Sequence, residues 1–299
     1  MFSGIRLGDK PLYKAWPPVP CLYLPSNIVV NQKEISMNKI ISQFMAGEKS
    51  LGMWLNMSDT QVAEITTFTG FDWICIDLQH GLAETGDLKN LLPIIERGSA
   101  APIIRILGAD PDQIGRVLDL GAKGVIVPMI NTPEEAGLAA AACRYPPIGN
   151  RSCGPTRAMT YNPAYLGNAN DEVACIIMIE TADGLANVEE IAALEGVDAL
   201  FVGPVDLSFS ITGGLAGLQS AEFLAALEKI VNAANAANIP AGIFSLNPLN
   251  AAQHLKNGYQ FTNVGADTSL FTAAVTGAYE QLKMALETQT EKFNAAPVR

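Results

Sequence analysis

The sequence predicts a (β/α)8 barrel, and three observations support this fold class. Eight short runs rich in Val and Ile alternate with helix-like segments, which is the pattern of a parallel barrel wrapped by helices. Several runs are continuously apolar, as expected for strands covered on both faces. The chain has 299 residues, enough for one large core. A doubly wound open sheet is the alternative, but no G-x-G-x-x-G motif follows the first strand.

Strands and helices are expected to alternate along the chain. The strands are predicted at residues 50–56, 73–78, 102–106, 124–130, 173–179, 199–202, 241–245 and 261–265. The helices with predicted bounds lie at residues 38–46, 58–68, 87–97, 111–120, 248–256 and 268–287. Ser58 can cap the helix at 58–68, Thr132 and Asp183 can cap two further helices, and Pro133 suits the first turn after Thr132. A polar loop over residues 144–171 interrupts the rhythm before the fifth strand.

Two regions are expected in the chain. Residues 1–36 carry no clear periodicity and form a predicted N-terminal extension without an assigned function. Residues 37–299 form a predicted single barrel domain that closes with a C-terminal helix. The charged residues near the start are not followed by a continuous apolar stretch, so no secretory signal is expected.

The composition excludes several classes of partner. With a formal net charge of −11 and a pI near 4.7, the chain is not expected to bind nucleic acid or acidic membranes. No run of 18 apolar residues occurs, so no membrane span is expected either. The five cysteines are odd in number and lack C-x-x-C spacing, which favours reduced thiols and a cytoplasmic location.

Polar residues cluster at the predicted carboxyl ends of four strands, where a barrel of this kind carries its chemistry. The set comprises Asp77, Gln79, His80, Arg105, Glu180 and Asp206. Two carboxylates at the ends of neighbouring parallel strands suit a hard divalent cation such as Mg2+, Mn2+ or Co2+. Glu180 and Asp206 are therefore the predicted metal ligands.

Each of these residues also has a purely structural interpretation. Asp206 could be a helix N-cap, and Glu180 could favour the dipole of the next helix. Arg105 and Asp77 could form structural salt bridges, and His80 could be a structural histidine. Because all of them fall at one rim, the structural interpretation of the whole set is the weaker one.

Five segments also match a known family in order and in residue type. They read DLQHG at 77–81, PIIR at 102–105, RYPPIG at 144–149, IET at 179–181 and GPVDLS at 203–208. Together they resemble the HpcH/HpaI aldolase family, which includes 4-hydroxy-2-oxoheptanedioate and 2-keto-3-deoxy-L-rhamnonate aldolases. The resemblance implies a metal-dependent aldolase that reversibly cleaves a 4-hydroxy-2-oxo acid to pyruvate and an aldehyde. It also implies a homohexamer in which C-terminal helices are exchanged between subunits.

The resemblance implies a role for each matched residue. It assigns metal binding to Glu180 and Asp206, and it assigns contact with the keto acid and stabilisation of developing charge to Arg105. His80 would transfer protons, paired with Asp77. The carboxylate of pyruvate would be held by main-chain amides at two further positions, Gly203 and Val205.

Three residues depart from the family pattern. Met178 stands where glutamine is frequent, on the strand face that also carries Glu180. Ser152 ends a loop motif that often closes with glycine, and Gln79 stands where many members have glutamate. These changes are expected to affect substrate choice more than metal binding. Pocket-wall residues from the loop over residues 144–171, or from a neighbouring subunit, are expected to help set the aldehyde preference.

Other functions on the same scaffold are left open by the residues alone. An oxaloacetate decarboxylase would use the same pyruvate chemistry, and an acyl-CoA lyase would want basic residues such as Arg144, Arg151 and Arg157. A non-catalytic keto-acid-binding protein is the alternative from another class. A Schiff-base aldolase is disfavoured, because lysines such as Lys89 and Lys123 fall in helices or loops.

Overall fold

Residues 38–294 are described by the structure, a computed structural model, and eight parallel strands form its centre. Their bounds are β1 Ser50–Leu55, β2 Trp73–Asp77, β3 Ala101–Arg105, β4 Gly124–Val127, β5 Ala174–Ile179, β6 Ala199–Val202, β7 Ala241–Ile243 and β8 Phe261–Ala266. The strands pair in sequence order, and β1 closes the sheet against β8. The predicted (β/α)8 barrel is therefore confirmed. The predicted extension over residues 1–36 lies outside the described residues.

Helices surround the sheet. Their bounds are α1 Lys39–Ala46, α2 Thr60–Thr67, α3 Leu88–Ile95, α4 Pro111–Asp119, α5 Pro133–Cys143, α6 Thr156–Tyr161, α7 Tyr165–Glu172, α8 Ala182–Ala186, α9 Val188–Ala192, α10 Pro204–Thr212, α11 Ala221–Ala237, α12 Pro248–Lys256 and α13 Asp267–Asn294. A short 3-10 helix, Leu215–Gln219, follows α10. The loop predicted over residues 144–171 contains α6 and α7, which the sequence analysis missed. No helix in the described part of the chain is long and apolar enough to cross a bilayer.

Two of the three predicted helix caps are wrong by one or two residues. Asp59 rather than Ser58 caps α2, because its carboxylate accepts hydrogen bonds of 2.8 and 3.0 Å from two free amides of the first turn. Thr181 rather than Asp183 caps α8, because its hydroxyl accepts a bond of 3.0 Å from the amide three residues later. The third cap, Thr132, is confirmed and forms a capping box.

Aromatic side chains fill the barrel interior. The rings of Trp54 and Phe201 stack with centroids 5.7 Å apart, and Trp73 meets Phe201 and Phe261 edge-on. Gly52 makes this packing possible, since a Cβ atom there would lie 2.1 Å from the Trp73 ring. These four aromatic residues are called the aromatic floor below, because they lie beneath the carboxyl end of the strands.

The amino end of the barrel is closed by α1. Ile40 and Phe44 of this helix are buried, and the Phe44 ring lies 4.8 Å from Phe261. The Asn38 side chain also donates hydrogen bonds of 2.7 and 2.8 Å to carbonyls that precede β4 and β5. Because α1 covers the amino end, the carboxyl end is the candidate entrance for a substrate.

Candidate active site

The predicted polar residues meet at the carboxyl end of the barrel. Asp77 and Arg105 are the last residues of β2 and β3, and Glu180 directly follows β5. Asp206 lies in the first turn of α10, after β6. Parallel strands bring their carboxyl ends to one rim, so residues far apart in sequence become neighbours there.

Asp77 and Arg105 form a buried ion pair between neighbouring strands. They are direct partners in the register of β2 and β3. The Arg105 Nε atom donates to Asp77 Oδ1 at 2.8 Å, and a second guanidinium nitrogen donates to Oδ2. Burial alone would raise the pKa of Asp77, but the guanidinium and its charge lower it below the ordinary value. The pair therefore stays ionised, as the salt-bridge interpretation of Arg105 requires.

Trp54 supports this pair from below and was missed by the sequence analysis. Its indole Nε1 donates to Asp77 Oδ2 at 3.2 Å, and the Arg105 guanidinium lies 5.0 Å from its ring centroid. The signal was present in β1, where period-two alternation places Gly52 and Trp54 on the inward face. The aromatic floor thus touches the ionic groups of the rim directly.

His80 is exposed at the rim, beyond the end of β2. Asp77 Oδ1 accepts hydrogen bonds from the main-chain amides of Gln79 and His80, at 3.0 and 3.2 Å. Within residues 38–294, no hydrogen bond joins the imidazole to Asp77, so contact between the two residues runs through the main chain. Gln79 Oε1 is buried and has no hydrogen-bond partner in the same part of the chain.

Glu180 is buried and forms no salt bridge within the described part of the chain. Its Oε1 atom accepts a hydrogen bond of 2.8 Å from the Met129 amide, and Oε2 lies against Gly203, where a Cβ atom would be 2.3 Å away. Burial raises the pKa of Glu180 to about 7, and the negative charge of Asp206 adds to the rise. The Met129 amide and the charge of Arg105 act in the opposite direction.

The Met129 amide reaches Glu180 because β4 ends early. The strand was predicted to run to residue 130, but it stops at Val127, since Pro128 cannot donate to the ladder. Met129 then adopts a left-handed backbone with φ of 58°. Such a φ is uncommon for a residue other than glycine, and the sequence gives no sign of it.

Asp206 is exposed and is not a helix N-cap. Gly203 occupies the N-cap position of α10, and Asp206 is the third residue of the helix. In the described part of the chain, its carboxylate accepts no hydrogen bond. The Gly203 amide donates to the Ile179 carbonyl at 3.3 Å, whereas Val205 lies in the first turn, where helix amides lack intrahelical partners.

The acidic pair fits a divalent cation. Among the described side chains there is no cluster of three or more acidic, histidine or cysteine groups suited to a metal, and because Asp77 is paired with Arg105, the two carboxylates left for a cation at this rim are Glu180 and Asp206. Because the charge of Asp206 raises the pKa of Glu180, the two carboxylates act on each other. An oxygen-binding cation would neutralise them while leaving positions for a substrate and water.

The loop over residues 144–171 lies at the other end of the barrel, which corrects the expectation that it helps set aldehyde preference. It joins the end of α5 to the start of β5, and both lie at the amino end. Its arginines bind carboxylates there at 2.6–2.7 Å, in the pairs Arg144–Asp198, Arg151–Asp119 and Arg157–Glu96. Within one chain, neither these arginines nor Ser152 can line the rim.

Sequence and structure comparisons identify relatives of this chain. The profile of the family described as HpcH/HpaI aldolase/citrate lyase matches residues 50–274. The chain is 38% identical to a 2-dehydro-3,6-dideoxy-6-sulfogluconate aldolase of Pseudomonas putida, over 78% of this chain and 92% of that protein. It is also 38% identical to a hydroxypyruvate/pyruvate aldolase of Deinococcus radiodurans, over 76% and 83% of the two chains. A crystal structure of an HpcH/HpaI aldolase/citrate lyase family protein from Burkholderia cenocepacia superposes with a TM-score of 0.78 at 31% identity, covering 83% of this chain and all of that one.

Proposed function

This chain belongs to the HpcH/HpaI aldolase/citrate lyase family, and we propose that Glu180 and Asp206 bind the divalent metal ion of its aldolase reaction. The reaction is the reversible cleavage of a 4-hydroxy-2-oxo acid to pyruvate and an aldehyde, so the protein is a carbon–carbon lyase. One observation carries the metal proposal. Glu180 is a buried carboxylate beside Asp206, has no cation paired with it in the described residues, and has its pKa raised to about 7.

Arg105 is the proposed group for charge stabilisation in the substrate. Cleavage and condensation both pass through the enolate of pyruvate, whose oxygen carries negative charge. A guanidinium held at fixed orientation by Asp77 and Trp54 meets such a charge without reorganising. A bound Mg2+, Mn2+ or Co2+ ion supplies Lewis-acid stabilisation of the same charge.

His80 and the first turn of α10 complete the proposed site. The exposed imidazole of His80 can exchange a proton with the aldehyde oxygen as the carbon–carbon bond breaks or forms. The proposed contact with the pyruvate carboxylate rests on the Val205 amide, which lies in the first turn of α10, where a helix attracts anions. The Gly203 amide already donates to Ile179, so Gly203 contributes mainly by leaving room for Glu180.

The residues at this rim do not favour two alternatives, an acyl-CoA lyase and a Schiff-base aldolase. An acyl-CoA lyase would use basic residues there, but the three arginines considered for that role are paired at the amino end. A Schiff-base aldolase needs a lysine inside the barrel, and none of the eight strands contains one.

Assembly and location are further parts of the proposal. A homo-oligomer, a hexamer by family resemblance, is supported by exposed apolar side chains on α13. These are Leu270, Phe271, Val275, Tyr279 and Leu282. A cytoplasmic location is supported by the four described cysteines, which are all free thiols.

The direct test is exchange of the pyruvate methyl protons in D2O, followed by NMR. This measurement requires no knowledge of the aldehyde. EDTA-stripped protein should not exchange, Mn2+ or Mg2+ should restore exchange, and Glu180→Gln should remove it. Glu172→Gln is a matched control, because Glu172 is also buried but pairs with Lys123 at the amino end. Exchange without metal, or full exchange in Glu180→Gln, would contradict the metal assignment.

A further inference from the structure

The segment between β4 and α5, residues 128–132, holds one oxygen of Glu180 through a strained backbone. Met129 is one of two non-glycine residues in the described part of the chain with a left-handed φ; the other is Asn238. Its amide donates to Glu180 Oε1 at 2.8 Å. A left-handed methionine persists only where neighbouring groups hold it in place.

Asn131 supplies that hold. Its Nδ2 atom donates to the Met129 carbonyl at 2.9 Å, so the side chain folds back over the strained peptide. Its Oδ1 atom accepts a hydrogen bond from the Thr181 hydroxyl. Thr181 directly follows Glu180, and therefore one amide side chain joins the β4–α5 segment to the residue beside the metal ligand.

The Asn131 main chain is fixed independently of its side chain. Its amide donates to Glu135 Oε2 at 2.7 Å, and its carbonyl accepts a hydrogen bond of 2.7 Å from Asn187 Nδ2. Removing the side chain would leave both contacts in place. The two contacts that would be lost are those to Met129, whose amide binds Glu180, and to Thr181, which follows Glu180 in the sequence.

We propose that Asn131 is a positioning residue of the metal site. It locks Met129 in the left-handed conformation, and the Met129 amide then fixes Glu180 Oε1, which leaves Oε2 against Gly203. Asn131 itself touches neither metal nor substrate. This inference rests on the proposed function, since it takes Glu180 as a metal ligand.

The test measures Mn2+ affinity by electron paramagnetic resonance, with thermal unfolding recorded for every variant. Asn131→Ala should weaken Mn2+ binding by roughly 10- to 100-fold, the usual effect of losing an outer partner of a metal ligand. Its unfolding temperature should change little, because the main-chain contacts remain. Unchanged affinity in Asn131→Ala would overturn the proposal.

A rescue variant separates positioning from general structural damage. Glycine adopts a left-handed φ without strain, so Met129→Gly should recover most of the Mn2+ affinity lost in Asn131→Ala. Asn238→Gly in the same background is the matched control, because it relieves the other left-handed residue at the end of α11 and should recover nothing. Equal recovery by both glycines, or recovery by neither, would overturn the proposal. If Asn131→Ala does not fold, the Mn2+ affinity of the Asn131→Ala/Met129→Gly double variant decides. An affinity near that of the wild type supports the proposal, and one as low as that of Glu180→Gln overturns it.

The reference variant separates this inference from the proposed function. Wild-type protein should bind Mn2+, and Glu180→Gln should abolish the binding. If it does not, the metal site and the role of Asn131 both fail. If Glu180→Gln abolishes binding while Asn131→Ala has wild-type affinity, only the positioning role fails.

Discussion

The two ends of the barrel differ in whether a buried charged side chain has a partner of opposite charge. At the amino end, Arg151 is fully enclosed, bonds to Asp119 at 2.6 Å and packs over the Tyr145 ring at 4.5 Å. At the carboxyl end, Glu180 is equally enclosed but has an amide and a second acid as neighbours. A buried charge that is left uncompensated costs stability, so its presence calls for a functional reason. The presence or absence of an oppositely charged partner therefore distinguishes structural from reactive charged residues better than burial does.

The Asp77–Arg105 pair qualifies this comparison. It is a complete ion pair, like those at the amino end, yet it lies at the reactive rim. Both carboxylate oxygens of Asp77 are occupied by donors from Arg105, and Trp54 and two main-chain amides add further bonds. Because Asp77 holds the Arg105 guanidinium through two hydrogen bonds, the guanidinium has a fixed orientation from which it can act on the substrate. A complete pair can therefore serve catalysis as a positioning device.

The largest predicted difference concerns two aspartates, one from each end. Asp206→Asn should lower metal-dependent turnover by roughly 1,000-fold or more, because a Lewis acid supplies several kcal/mol of transition-state stabilisation. Asp119→Asn should leave turnover near wild type and should lower stability, since it weakens the pair with Arg151. Steady-state kinetics and urea unfolding of both variants make the comparison. Full turnover in Asp206→Asn would remove that residue from the site.

The next difference concerns two buried arginines. Arg105→Ala should reduce kcat by roughly 100- to 1,000-fold, as expected for loss of one preorganised charge-stabilising group. Arg151→Ala should reduce the free energy of unfolding by about 3–5 kcal/mol, because it leaves Asp119 without its partner, while kcat stays near wild type. Kinetics must be measured where each variant is folded. A normal kcat in Arg105→Ala would make its pair with Asp77 purely structural.

Glu180 and Asp77 should make the free energy of unfolding change with pH in opposite directions. The pKa of Glu180 rises from 4.5 to about 7 on folding, so between these values the folded protein binds more protons than the unfolded chain. Its free energy of unfolding should therefore fall as pH rises through this window, by on the order of 3 kcal/mol. The pKa of Asp77 is lowered on folding, so its contribution is present above the ordinary value and is lost as pH falls through the folded one.

Urea unfolding of metal-free protein across this pH range measures both effects. Glu180→Gln should abolish the decline towards pH 7 and should leave the acid-side loss unchanged. Saturating Mn2+ should also offset the decline, because it binds the ionised carboxylate of the folded state. A flat profile in the wild type between pH 4.5 and 7 would show that folding does not raise the pKa of Glu180.

The sequence predicts the barrel well because the information is local. Runs of apolar residues identify all eight strands, and the ends of those strands identify the rim. The place of the loop over residues 144–171 also follows from topology, since a helix that precedes a strand ends at the amino side of a barrel. The expectation about aldehyde preference was incorrect because it did not take into account that the loop lies between α5 and β5.

The remaining parts of the site depend on tertiary contacts that a sequence does not display. Met129 carries no glycine-like signal for its left-handed backbone, and only the packed rim imposes it. In the sequence Asn131 looks like an ordinary residue before a helix, although its side-chain amide bonds to Met129 after β4 and to Thr181 after β5. The indole of Trp54 follows from alternation in β1, but its donation to Asp77 requires the register of the closed sheet.

The smallest predicted effect concerns the contact between the aromatic floor and the ion pair. Trp54→Phe keeps a ring beneath Arg105 but removes the hydrogen bond to Asp77 Oδ2. The free energy of unfolding should fall by about 1–2 kcal/mol, because the lost bond ends on a charged group. The kcat value should fall only several-fold, since Arg105 still holds both oxygens of Asp77.

Trp73→Phe is the matched control for this last comparison, from the same floor. Within the described residues, the Trp73 Nε1 atom is buried without a hydrogen-bond partner, so its removal breaks no bond. Both substitutions shrink an indole to a phenyl ring in the barrel interior, and they share the packing cost. A larger loss of kcat in Trp54→Phe than in Trp73→Phe would assign the difference to the indole–carboxylate bond. Equal losses would mean that the floor acts on the ion pair through packing alone.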